Sequence, residues 1–196
     1  MMKSFRLAVK RLFDIIFGSV CLLILSPVLL VAVLLIEVFM PGPVFFMQRR
    51  VGRNGKEFNI LKFRSMKVDK EAEKNHDFSK DEERMTAFGN LMRRLKIDEL
   101  PQLINVIKGD MSLVGPRPTV KEQTDLYTEY QRRRLDMRPG MTGLAQVNGN
   151  TALTWDERIV FDVEYVSNYT LLLDAKILLK TVAVVICGED KFKSKE

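Results

Sequence analysis

Between Asp14 and Glu37 the chain carries no charged side chain: Ile15 to Ile36 is a run of 22 uncharged positions rich in Leu, Ile and Val. At about 1.5 Å per helical residue the run reaches roughly 33 Å, enough for a hydrocarbon core of about 30 Å. It predicts a membrane segment. A cleaved signal peptide would have a shorter apolar core followed by a small-residue site, whereas Met40-Pro41-Gly42-Pro43 follows here. Ser26-Pro27 falls at the middle of the run. Proline removes a backbone hydrogen bond and kinks a helix, and the Ser26 hydroxyl can satisfy a freed carbonyl. Lys3, Arg6, Lys10 and Arg11 precede the run, and Arg49, Arg50, Arg53 and Lys56 follow it. The positive-inside rule places both flanks in the cytoplasm. A straight span cannot satisfy that, whereas a helix broken at Ser26-Pro27 that dips in and returns can. On these residues a kinked single span and a re-entrant hairpin both stay open.

From Val44 onward the pattern is mixed. Val44-Phe45-Phe46 and Phe58-Asn59-Ile60-Leu61 flank the turn signal Gly52-Arg53-Asn54-Gly55 and predict a short β-hairpin. Period two on a strand puts Lys62 and Arg64 on one face. Val68 to Glu83 holds seven acids and three lysines with little periodicity, a loop or a solvated helix. Phe88, Leu91, Met92 and Leu95 recur at helical spacing. After Asp98, Leu100, Leu103, Ile104, Val106 and Ile107 mark a second helix that Gly109 stops. Thr119 to Asp136 predicts a third, before a turn-rich stretch from Arg138 to Asn150. The last apolar helix, Leu171 to Cys187, is too broken by charge to span, so it packs on the body or lies at an interface. The expected fold is α+β, mostly helical with a small β-hairpin. Residues 1–40 form the membrane unit and 41–196 the folded body.

Composition narrows the chemistry. The chain has 196 residues, with 31 Lys and Arg against 25 Asp and Glu, a net charge of +6. Seven basic residues and one acid lie between Arg49 and Lys67, so that stretch alone equals the whole excess. Attraction to anionic headgroups and a pocket for several phosphates both account for it. Basic clusters without a recognition motif argue against nucleic acid. Two cysteines far apart suggest no disulfide framework, and the single histidine, His76, supports neither a zinc site nor a histidine triad. No dinucleotide fingerprint or phosphate-binding P-loop occurs.

Three segments could carry chemistry. Asp98-Glu99-Leu100-Pro101 reads as a helix cap, with Asp accepting backbone bonds and Pro tolerated in the first turn. It also reads as an ionised aspartate poised to attack phosphorus beside a carboxylate that holds a divalent cation. Gly115-Pro116-Arg117-Pro118 fixes the backbone on both sides of Arg117, which makes either a stiff connector or a preorganised phosphate clamp. The stretch from Arg138 to Gly149 has three glycines that permit close approach to a ligand, with Arg138 and Gln146 able to read polar groups.

Together these segments resemble the bacterial sugar transferases, small monotopic phosphoglycosyl transferases that begin glycan assembly on a polyprenyl phosphate. The resemblance rests on Lys62-Phe63-Arg64-Ser65-Met66, Asp98-Glu99-Leu100-Pro101-Gln102-Leu103, Lys108-Gly109-Asp110-Met111-Ser112, Gly115-Pro116-Arg117-Pro118 and Arg138-Pro139-Gly140-Met141-Thr142-Gly143. It extends from the basic N-terminus to Leu173-Asp174-Ala175-Lys176. The family implies that Asp98 attacks the β-phosphate of a UDP-sugar, releases UMP and carries a covalent phospho-sugar. Undecaprenyl (polyprenyl) phosphate then takes the phospho-sugar. By the same resemblance Glu99 assists, by binding Mg²⁺ together with Asp98 or by handling a proton, and Lys62, Arg64, Arg117 and Arg138 stabilise phosphate charge; Gln146, by its polar side chain, is a further substrate-binding candidate. It further implies a re-entrant N-terminal helix, a monotopic enzyme on the cytoplasmic face of the bacterial inner membrane, contact with membrane lipid and a minimal catalytic form. Many members carry Arg after the Asn-Gly pair where this chain has Asn150. The competing reading is a non-catalytic, membrane-tethered anion- or partner-binding relative. The sugar, the glycan pathway and a homodimer stay open.

Overall fold

A computed structural model describes residues 2–68 and 84–187; most of the acidic stretch predicted as a loop or solvated helix, His76 included, lies outside the described residues. The uncharged run folds as part of one helix, α1 (Met2–Phe39), with Pro27 inside it. It is long and apolar enough to cross a membrane. Proline at position 27 leaves the Leu23 carbonyl without its amide donor, and the Ser26 hydroxyl donates to that oxygen at 2.8 Å. Leu23, Ile24, Leu30 and Val31 stay exposed around the proline, the surface expected of a lipid-facing stretch.

Both flanks of this exposed stretch are tied to the same body. In the N-terminal half, Lys10 and Asp14 are buried although charged. Lys10 pairs with Asp174 at 2.6 Å. Asp14 accepts from the Ser112 hydroxyl at 2.9 Å and the Leu113 amide at 3.0 Å. Arg11 donates to the carbonyls of Val106 and Ile107. In the C-terminal half, Ala32, Ile36 and Met40 pack with Phe63 and Met92.

The predicted hairpin is present and longer than its apolar residues suggested. Strands β1 (Phe45–Val51) and β2 (Glu57–Phe63) pair antiparallel with Phe45 opposite Phe63 and Val51 opposite Glu57. Asn54 and Gly55 turn the chain at φ 57° and 76°, the left-handed conformations for which Asn and Gly are suited. Helix α2 (Ala87–Arg94) opens with the Thr86 hydroxyl accepting from the Gly89 amide. Helix α3 (Gln102–Lys108) ends at Gly109, φ 98°, as predicted.

The predicted third helix is not continuous. It divides into α4 (Lys121–Thr124), α5 (Glu129–Arg132) and a 3₁₀ turn, Arg133–Asp136. The reason is local: the Thr128 side chain accepts from Gln131 while Gln131 bonds back to Thr128, a capping box that starts a new helix. The turn-rich stretch contains a strand that periodicity did not reveal. Strand β3 (Ser112–Val114) pairs in parallel with β4 (Gly140–Thr142). Short helix α6 (Leu144–Val147), α7 (Trp155–Ser167) and α8 (Leu171–Cys187) complete the chain. Val114, Met137, Val147, Tyr165, Val166 and Ile177 form the main core around β3. Helix α8 buries Asp174, Ile177 and Val184 and exposes Leu172, Leu179, Val182 and Ile186, so it packs on the body along one face and leaves an apolar face outward.

The Lys10–Asp174 pair crosses from the membrane helix to α8, with side chains 7% and 12% exposed. Burial pushes the Asp174 carboxyl up, against the pull of Lys10 and Tyr165. Desolvation therefore dominates, and one partner left alone is costly. Lys10→Ala or Asp174→Ala is expected to cost about 3–5 kcal/mol in denaturant unfolding of the detergent-solubilised protein, and Lys10→Met with Asp174→Leu far less. Equal losses in the singles and the double would contradict this.

Candidate active site

The chain enters the site through a tight reversal. Helix α2 gives way at Lys96, φ 57°, and residues Ile97–Glu99 form one 3₁₀ turn before Pro101 opens α3. Asp98 therefore lies inside the turn and caps nothing: no side-chain cap bond forms at either element. That sets aside the capping reading of this segment. Asp98 is buried, and its Oδ1 has neither solvent nor a hydrogen-bond partner.

Glu99 is treated differently. Lys62 on β2 donates to Glu99 Oε1 at 2.7 Å, and Arg117 donates to the same oxygen at 2.9 Å. Burial acts to raise the Glu99 carboxyl, but the charges and hydrogen bonds of Arg117 and Lys62 outweigh it and hold the group at about 2. Asp98 moves the opposite way. Burial, then the neighbouring Glu99 charge, push it up, and the attraction of Lys62, Arg93 and Lys96 does not reverse the shift. Burial and the Arg117 charge lower Lys62, against the pull of Glu99. Two adjacent carboxylates thus have opposite characters, which is a recurring mark of sites that divide acid–base or nucleophilic labour.

Each cation is placed by a specific contact. The Asn105 side chain on α3 bridges the edge of β2, accepting from the Leu61 amide at 3.0 Å and donating to the Asn59 carbonyl at 2.8 Å. This joins the strand that carries Lys62 to the helix that follows Glu99. Arg117 lies on the loop after β3. Gly115, Gly140 and Gly143 interlock there so closely that a Cβ on any of them would collide with backbone. The three glycines therefore serve backbone-to-backbone packing of this loop against β4. Of the three glycines expected to let a ligand approach, Gly140 and Gly143 are thus packed against backbone, while Gly149 turns the chain at φ 137° beside the Leu153 side chain.

Of the sequence-predicted site residues, Asp98, Glu99, Lys62 and Arg117 come together. Arg64 is buried beyond the end of β2, and its guanidinium donates to the carbonyls of Met40 and Pro41 at the end of α1. Arg138 donates to the Gly109 carbonyl at 2.8 Å and has Arg11, Arg53 and Asp14 as its charged neighbours. It lies at the far end of α3 from the dyad. Gln146 donates to the Met141 carbonyl at 2.9 Å within its own loop. Asn150 adopts φ 44° in the turn after Gly149.

Sequence reasoning missed two arginines. Arg93 donates to the Ser65 hydroxyl at 2.9 Å, contacts the Met66 sulfur and is among the charges that pull on Asp98. Its place five residues before Asp98 in a basic run was the available signal. Arg134 is buried and donates to the Arg117 carbonyl at 3.0 Å; nothing in the run Arg132-Arg133-Arg134 distinguishes it from its neighbours.

The donor set suits a hard divalent cation. Asp98 Oδ1 is a buried carboxylate oxygen without a partner, while Glu99 Oε1 is already taken by two cations. Among the described residues no cluster of three or more His, Cys, Asp or Glu forms a complete cage, so Asp98 would be the principal protein ligand. Mg²⁺ commonly binds in this way, through one or two carboxylates with water and substrate phosphates completing its shell.

The bacterial sugar transferase family matches residues 5–188 of the chain. The uncharacterized sugar transferase EpsL of Bacillus subtilis is 45% identical over 180 residues, covering 92% of this chain and 88% of that protein. An exopolysaccharide production protein of Rhizobium meliloti is 39% identical over 198 residues, covering 93% and 88%. A UDP-glucose:undecaprenyl-phosphate glucose-1-phosphate transferase of Caulobacter vibrioides is 38% identical over 192 residues, covering 93% and 72%. With similarity running from the membrane helix through α8, the chain belongs to the bacterial sugar transferase family.

Proposed function

We propose that this phosphoglycosyl transferase moves a sugar-1-phosphate from a UDP-sugar to undecaprenyl phosphate by way of a covalent phospho-sugar on Asp98, a first membrane step of glycan assembly. The observation that carries the reading is the split of the dyad: Glu99 is ionised and doubly bonded, while Asp98 is buried with an unpartnered oxygen. A carboxylate that is poorly solvated and raised above its ordinary range is a better nucleophile than one already satisfied. Similarity to the undecaprenyl-phosphate glucose-1-phosphate transferase supports the donor and acceptor classes.

In the first step an Asp98 oxygen attacks the β-phosphorus of the donor. The Asp98 O–P bond forms, the bond from that phosphorus to the bridging oxygen breaks, and UMP leaves with the electron pair. In the second, a phosphate oxygen of undecaprenyl phosphate attacks the same phosphorus and Asp98 is released. Lys62 and Arg117, fixed in advance by Glu99, would stabilise the negative charge that develops on the phosphoryl oxygens. Mg²⁺, held through Asp98 with Glu99 nearby, would neutralise diphosphate charge when bound.

The membrane helix fits a lipid-borne acceptor. Although α1 is helical through Pro27, both flanks of the apolar stretch bond to one body, which supports a re-entrant helix that bends at Ser26-Pro27 and leaves the membrane on the side it entered. The body then lies on the cytoplasmic face of the inner membrane with residues 1–40 as its membrane unit. Single cysteines replacing Arg6 and Lys56, in a chain without Cys21 and Cys187, should both be labelled from the cytoplasmic side only. Labelling from opposite sides would exclude the hairpin.

Asp98→Asn is expected to abolish UMP release from UDP-sugars with Mg²⁺ and undecaprenyl phosphate, and the parent incubated without acceptor should gain the mass of a sugar phosphate on Asp98. An unaffected Asp98→Asn variant would rule out the covalent route. Because the folded-state pKa of Asp98 is raised, its contribution to stability is full below its unfolded value and lost as pH rises through the folded one. At neutral pH the ionised group is therefore a stability cost, and Asp98→Asn should raise Tm while removing activity, which a thermal melt can check.

The same shift sets the pH profile. The attacking carboxylate must be ionised, so kcat/KM should fall as pH drops through a value above the ordinary aspartate range of about 3.9. Glu99, at about 2, should contribute no limb in that window. An acid limb at or below the ordinary aspartate value would contradict the assignment.

A further inference from the structure

Arg134 is 3% exposed and lies against a pair of contacting aromatic rings, 5.6 Å from the Tyr127 ring centre and 5.3 Å from that of Trp155. Its guanidinium joins three segments. One nitrogen donates to the Tyr127 hydroxyl at 2.6 Å, and the other donates to Asp162 on α7 and, at 3.0 Å, to the carbonyl of Arg117. The Tyr127 hydroxyl is also bonded to Thr119 at 2.8 Å, two residues beyond Arg117.

The loop it touches has an unusual requirement. Pro116 and Pro118 flank Arg117 and have no amide hydrogen to donate, so this stretch must be held largely through its carbonyls. The Pro116 carbonyl accepts from the Gly140 amide at 2.9 Å and the Thr119 carbonyl from the Val51 amide at 2.8 Å. Arg134 supplies the donor for the carbonyl between them. Arg117 itself is 44% exposed along its side chain, so a fixed backbone root helps its bond to Glu99 limit where its guanidinium can go. A loss of ångström-scale placement is enough to reduce catalysis about 100-fold.

Stability alone does not explain a buried ion pair here. Burial pushes the Asp162 carboxyl up to about 6 although Arg134 opposes it, so burial outweighs the pull of Arg134 on that carboxyl, and apolar residues of similar volume would serve packing as well. They could not donate to Arg117.

We propose that Arg134, oriented by Asp162, Tyr127 and Trp155, is the positioning residue that sets Arg117 on Glu99. It does not touch substrate. The proposal rests on the catalytic reading of Arg117 and Glu99 given above, and its test separates the two.

Donor-dependent kcat/KM is measured by UMP release, per folded protein, for Arg134→Lys, Arg117→Ala and the double variant, with Tyr127→Phe as a milder probe that removes one hydroxyl. Arg117→Ala should lower kcat/KM about 100-fold. Arg134→Lys should lower it about 10-fold in the parent and by less than about 2-fold once Arg117 is alanine, since groups acting as a unit are not additive. Tyr127→Phe should follow Arg134→Lys in direction with a smaller loss. Equal loss in both backgrounds, or none in the parent, would overturn the positioning role.

A readout without turnover completes the test. Low-temperature ¹⁵N NMR of the detergent-solubilised full chain should show a slowly exchanging Arg117 guanidinium signal, assigned by its disappearance in Arg117→Ala. That signal should be lost in Arg134→Lys and kept in Val163→Ala, a packing change beside Asp162. Retention in Arg134→Lys would refute the proposal whatever the donor is. Failure of the parent to release UMP would instead overturn the proposed function and leave the NMR result standing.

Discussion

Lys62 and Arg117 reach the same oxygen of Glu99, and much of the soluble body serves to bring these two cations from distant segments to that point. Lys62 arrives on an edge strand that Asn105 ties to α3. Arg117 arrives on a proline-bounded loop packed against β4 and held at its carbonyl by Arg134. A cation committed to Glu99 is less available to neutralise its neighbour. Asp98 is therefore left buried with an unpartnered oxygen, a condition that costs stability. Without those two cations, burial would raise Glu99 as it raises Asp98.

The membrane helix is built into the same framework. Arg11 bonds the last carbonyls of α3, whose first turn follows the dyad; seven residues of helix span only about 10 Å. At its other end, α1 is capped by Arg64, two residues beyond Lys62. Both ends of the apolar segment are thus registered to elements that carry the site. Buried Lys10 and Asp14 make these attachments specific, because each is paired inside the body, Lys10 with Asp174 and Asp14 with Ser112 and the Leu113 amide. The dyad is thereby joined to the apolar segment through short connections at both of its ends.

Local signals were readable where the physics is local. The Asn54-Gly55 turn, the Gly109 stop and the use of Ser26 beside Pro27 each depend on residues within about one helical turn, and each appears as expected. The third helix failed because the Thr128–Gln131 capping box competes with continuation of the preceding turn, a contest that apolar spacing does not register. The parallel pairing of β3 with β4 went unread because three-residue strands have too little period to detect, and their partner is more than 20 residues away. Asp98 looked like a cap because its residue type suits one; the chain's reversal at Lys96 placed it inside a turn instead.

The sequence by itself determined the family, the membrane segment and the presence of a carboxylate dyad, because motifs and hydropathy are properties of contiguous residues. It also placed Lys62 and Arg117 among the phosphate-binding candidates, along with Arg64 and Arg138. Only the tertiary structure separated these four: two meet at Glu99, one caps the membrane helix and one bonds the end of α3. An arginine's role is set by which acceptor lies within reach of its long side chain. That acceptor is brought there by chain packing 18 to 37 residues distant in the case of Glu99, so no local pattern could have assigned it.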